Sequence, residues 1–67
     1  MKTLGEYIRK LREDKDFSLR EFAKKIEVTA TFLSDIELGK RYPSDAVLKE
    51  IAKNLEVSFE ALKELDN

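Results

Sequence analysis

Apolar residues recur along this chain at intervals of three and four, the period of a helix with one buried face. Leu4, Tyr7, Ile8 and Leu11 form the first stripe and predict a helix from about Leu4 to Asp14. Thr3 and Glu6 stand before it at the spacing of a capping box. Leu19, Phe22, Ala23 and Ile26 form a second stripe. Ser18 is its N-cap and Glu21 closes a second box, while Phe17 and Phe22 have the spacing of a hydrophobic staple. Glu21 and Lys25 are placed to attract one another at i,i+4. Leu33 and Ile36 begin a third stripe, with Thr29 as N-cap and Gly39 as the residue that ends the helix. After a connector, Lys40–Pro43, Ser44 caps a fourth helix carrying Val47, Leu48, Ile51, Ala52 and Leu55 inward. Ser58 caps a short fifth helix with Phe59, Leu62 and Leu65. The expected fold is therefore all-α, a compact bundle of five helices with short connections.

The segment from Ser18 to Gly39 holds two helices around a turn too tight for a wandering loop. At about 100° per residue, Leu33, Ile36 and Glu37 fall on one side of the third helix. Thr31, Ser34, Asp35 and Leu38 fall on the other, Phe32 lies on the flank, and Ala30 is at the leading end. A helix with a small, polar outer face behind a tight turn is the layout that enters a DNA groove.

Composition narrows the function. The 67 residues are expected to make a single domain, 1–67, with a modest core. With neither cysteine nor histidine, thiol and imidazole chemistry is excluded, no base–nucleophile constellation exists, and an enzyme is not expected. Glu13, Asp14 and Asp16 lack the spacing of loop ligands, so no metal and no cofactor is expected. The absence of cysteine fits a reducing compartment, and a cytoplasmic location is expected. No uncharged run approaches the roughly 18 residues of a membrane span. The amino terminus has no apolar core of the kind signal peptides carry. Net charge is −1, low for a nucleic-acid binder, but it is unevenly spread. Residues 1–43 carry ten basic and eight acidic side chains, and residues 44–67 carry three and six.

The chain resembles the phage repressor and Cro proteins, the XRE family of helix-turn-helix regulators. The likeness rests on Ile8, Arg9, Leu11 and Arg12; on Ser18-Leu19-Arg20-Glu21-Phe22-Ala23; on Val28-Thr29; and on Leu33-Ser34-Asp35-Ile36-Glu37 with Gly39-Lys40. Pro43-Ser44 and the trio Leu48, Ile51 and Ala52 extend it, so that it covers about residues 4 to 62. The resemblance implies a lambda-repressor-like bundle with helix 3, about 30–38, in the major groove. It implies base reading by Ala30, Thr31, Ser34 and Asp35. It implies sugar-phosphate contacts by Thr29, Phe32, Lys40 and Arg41, and a partly buried ion pair between Arg12 and Glu37. The chain departs from the family at three positions. Leu19 stands where a phosphate-binding glutamine is usual, which passes that role to Ser18, Arg20 or main-chain N–H groups. Glu27 stands where the turn usually has glycine, at a strain of about 1 kcal/mol if the backbone is left-handed there. Leu38 replaces a residue that is often polar.

The expected function is sequence-specific binding of double-stranded DNA by a transcriptional regulator, a repressor, acting as a homodimer on a palindromic operator. Dimerisation is expected through helix 5 and the loop before it, or through a region beyond this chain. The competing expectation is a protein-interaction module of the same fold, an antitoxin or adaptor, docking through Phe32 and Leu38. The low net charge and the missing glutamine favour that alternative.

Overall fold

The computed structural model describes residues 3–65, and among these the chain forms five α-helices and no strand. They are α1 (Leu4–Asp14), α2 (Leu19–Lys25), α3 (Ala30–Glu37), α4 (Asp45–Leu55) and α5 (Phe59–Lys63). Each begins where a hydroxyl side chain meets an otherwise orphan N–H. Thr3, Ser18, Thr29, Ser44 and Ser58 accept from the N–H three residues on. Both expected capping boxes are closed. Thr3 N–H donates to Glu6 at 3.0 Å and Ser18 N–H donates to Glu21 at 2.8 Å. The staple is present as stacked rings of Phe17 and Phe22, 5.8 Å between centroids.

Helix ends share a second device. α1, α2, α3 and α4 are each closed by a left-handed residue, respectively Asp16, Glu27, Gly39 and Glu56, with φ of 61°, 62°, 80° and 60°. The residue after each donates back to a carbonyl five positions earlier: Phe17 to Arg12 at 3.2 Å, Val28 to Ala23 at 2.9 Å, Lys40 to Asp35 at 2.8 Å, Val57 to Ala52 at 3.0 Å. This is the Schellman closure, which reverses the chain within two residues and satisfies the last carbonyls. Only Gly39 is free of a Cβ there.

The core gathers Leu4, Ile8, Phe22, Ala23, Ile26, Leu33, Ile36, Leu48, Ile51, Ala52, Leu55 and Leu62. Helix α3 packs on α1 and α2, α4 packs on α1 and α5, and Pro43 is buried in the connector between the halves. The innermost line of α1 differs from its apolar stripe: Leu4, Gly5, Ile8 and Arg12 are buried, whereas Tyr7 and Leu11 are half-buried at the edge. A Cβ at Gly5 would collide with the carbonyl oxygens of Ile36 and Glu37, so glycine is what lets α1 lie against the end of α3.

Candidate nucleic-acid interface

Helix α3 is fixed from behind. Leu33 and Ile36 are fully buried, and Ala23 of α2 supplies the small side chain that lets the two helices approach. Glu37 is buried beside them and meets Arg12 in a two-pronged ion pair, Nε to Oε2 at 2.7 Å and Nη2 to Oε1 at 3.1 Å. The remaining Nη1 donates to the carbonyl of Phe17 at 2.8 Å. One guanidinium thus joins α1, the α1–α2 loop and α3. The hydrogen bond to Glu37 is the largest influence on Arg12 and holds its pKa above the ordinary value, against the opposing effect of burial. With both side chains under a tenth exposed, paired and hydrogen-bonded, neither charge is left unsatisfied.

The opposite face of α3 is turned outward. Thr31 is exposed, Ser34 and Asp35 are partly exposed, and Ala30 is half-buried at the leading end. The helix is about 12 Å long, at eight residues of 1.5 Å, close to the width of a B-DNA major groove. Thr29 accepts the Phe32 N–H at 3.0 Å and retains its hydroxyl proton to donate outward.

At the start of α2, Arg20 is exposed, and Leu19 is half-buried against the core rather than facing solvent. Ser18 is more occupied than its sequence position suggests. Its N–H donates to Glu21, and its Oγ accepts the Glu21 N–H at 3.0 Å. Its hydroxyl is engaged by the Glu21 carboxylate as well. Hydrogen bonds from the Ser18 main-chain N–H first and the Ser18 hydroxyl second hold the Glu21 carboxyl below the usual carboxylate range, with Lys25 adding a smaller long-range attraction. The Glu21–Lys25 pair expected from spacing is not a direct contact: the Lys25 ammonium stands over the Phe17 ring, 5.0 Å from its centroid.

Beyond α3 the chain turns back, and sequence reasoning missed the result. Arg41 Nε donates to Asp35 Oδ2 at 3.2 Å, and the guanidinium lies over the Phe32 ring, 5.6 Å from the centroid. A residue assigned to base reading by the resemblance, Asp35, and two assigned to the sugar-phosphate backbone, Phe32 and Arg41, therefore form one cluster. Lys40, beside them, is exposed and has no ion-pair partner among the described residues. Gly39 carried the signal: a Schellman turn there brings the main-chain N–H of Arg41 within 3.3 Å of the Asp35 carbonyl. Gly5 was also missed, though a lone glycine in the first turn of a helix with strong formers is a cue for close packing. The acidic residues at the end of α1 are used structurally, Glu13 with Arg9 at 3.2 Å and Asp14 with Lys10 at 3.1 Å.

A family model described as helix-turn-helix matches residues 8–62. An uncharacterized HTH-type transcriptional regulator of Mycobacterium tuberculosis is 45% identical over 58 residues, covering 87% of this chain and 41% of its own. The HTH-type transcriptional repressor RghR of Bacillus subtilis is 36% identical over 63 residues, covering 92% of this chain and 47% of its own. The chain thus spans a little under half the length of these two relatives. Among solved structures, SinR, described as the master regulator for biofilm formation and crystallised in complex with DNA, superposes with a TM-score of 0.83 at 34% identity. That match covers 91% of this chain and 98% of the other.

Proposed function

The chain belongs to the XRE-type helix-turn-helix family of transcriptional regulators, and on that premise we propose that its 67 residues act as one DNA-binding domain of a repressor. Helix α3 enters the major groove. Thr31, Ser34, Asp35 and Ala30 face base edges, and Ser18, Arg20, Thr29, Phe32 and Lys40 line the sugar-phosphate backbone on either side. The observation that carries this is the two-sided character of α3: Leu33, Ile36 and the Arg12–Glu37 pair hold one face rigidly, and the other presents short polar side chains to solvent. Rigid placement of a small-residue face is what close approach to bases requires. A domain of net charge −1 gains little from non-specific attraction, so two copies on a palindromic site supply the affinity, with half-site centres about 34 Å apart.

Selection of bound sequences from a random duplex pool, followed by titration at several salt concentrations, tests this. Log K is expected to fall linearly with log salt. Thr31→Ala is expected to change which duplexes are retained. No binding to any duplex at low salt sinks the proposal. The rival is a protein-docking domain of the same fold, favoured by Leu38, 61% exposed, and Tyr42, 50% exposed. It predicts a stable protein partner that Leu38→Ser abolishes, with no duplex bound.

A further inference from the structure

The cluster of Phe32, Asp35 and Arg41 lies within the surface proposed to meet DNA. Arg41 is held there by its Nε bond to Asp35 at 3.2 Å, by the Phe32 ring beneath its guanidinium, and by its main-chain N–H on the Asp35 carbonyl. Building on the DNA-binding role above, we propose that Asp35 acts as an internal counter-ion that withholds Arg41 from phosphate and is thereby a specificity-determining residue.

Asp35 and Arg41 have side chains 27% and 60% exposed, so their pair is solvent-screened and weak, and it exchanges readily. A phosphate offers arginine a two-pronged, charge-assisted partner, better than the one-pronged Nε bond to Asp35. Moving Arg41 to phosphate, however, strips Asp35 of its cation close to a polyanion. The loss is offset where the facing base supplies a donor in the major groove, and the amino group of cytosine is the donor a carboxylate accepts from. On such a sequence Asp35 changes partner and Arg41 is released to the backbone. On other sequences the pair stays closed, and one fewer phosphate is neutralised. Glu37 cannot take over from Asp35, because its carboxylate is buried on Arg12. Lys40, one residue earlier and without an ion-pair partner among the described residues, is the unrestrained cation for comparison.

The test is a double-mutant cycle read by fluorescence anisotropy on the wild-type chain, Asp35→Asn, Arg41→Gln and the double variant. Each is titrated with a selected duplex and a random duplex across salt concentration, and circular dichroism confirms folding. Asp35→Asn is expected to tighten binding to the random duplex about fivefold. It is expected to steepen the salt slope by about 0.9, the signature of one added phosphate contact. Both gains should vanish in the Arg41→Gln background, and the ratio of selected to random affinity should fall. If the gain from Asp35→Asn persists without Arg41, Asp35 merely repels phosphate and the inference is overturned. It is equally overturned if Asp35→Asn leaves random-duplex binding unchanged while the wild type binds normally. If none of the four proteins binds any duplex, the DNA-binding role fails and this inference with it.

Discussion

Single residues at the helix ends govern how much stability this chain holds in reserve. Glu27 and Glu56 occupy left-handed positions where a Cβ is strained and where a negative charge faces the negative end of a helix. Glu27→Gly is expected to stabilise the protein by about 1 kcal/mol, raising the melting temperature by about 4–8 °C, measurable by thermal denaturation. Glu21 acts in the opposite sense. Its carboxyl is held below the usual range by the Ser18 N–H first and the Ser18 hydroxyl second. A depressed folded-state pKa stabilises above the unfolded value, and the contribution is lost as pH falls through the folded one. Denaturant midpoints measured across the acidic range should therefore decline as pH falls in the wild type. They should decline less in Glu21→Gln, which keeps the box geometry without the titrating group.

At the level of elements, α1 is the brace that sets the angle of α3. It reaches α3 through Gly5 against the Ile36 and Glu37 carbonyls, and through Arg12 on the Glu37 carboxylate. Arg12→Met leaves a buried carboxylate without its cation and is expected to cost about 3 kcal/mol or more in chemical denaturation. Arg12→Met combined with Glu37→Leu should recover most of that loss, because two packed apolar side chains replace two satisfied charges. The elements themselves were legible in the sequence. Caps, boxes, staple and stripes are local, and each N-cap named from spacing accepts its N–H in the structure. The buried line of α1 was less legible, because two of its four members are a glycine and an arginine, which an apolar count passes over. The Asp35–Arg41–Phe32 cluster was not read from the sequence, where Gly39 was its one cue. It depends on the chain doubling back at Gly39, which turns a pair six residues apart into neighbours.

Across the whole molecule, 25 × 23 × 22 Å in extent, charge is divided unevenly along the chain. The proposed DNA face draws on residues 18–41, while the acidic excess lies after residue 43. Partition of charge along the chain thus makes a net charge of −1 compatible with the proposed nucleic-acid partner. If α3 leads into the groove, Lys40→Gln should reduce the steepness of the salt dependence by about 0.9, whereas Glu50→Gln, at an exposed position of α4, should leave the slope unchanged. Titrations of both variants against one duplex check this. Sequence sufficed for this partition because it needs only the order of charges along the chain.

The Arg12 guanidinium also has a consequence in time. It joins Glu37 across 25 residues of chain and therefore requires α1 to be docked on α3. Interactions that assemble after the folding barrier slow escape from the native state without hastening arrival. In stopped-flow experiments Arg12→Met is accordingly expected to raise the unfolding rate about a hundredfold and to leave the folding rate nearly unchanged. The bridge is then a latch on the lifetime of the fold, and its loss should show first as faster cleavage by proteases.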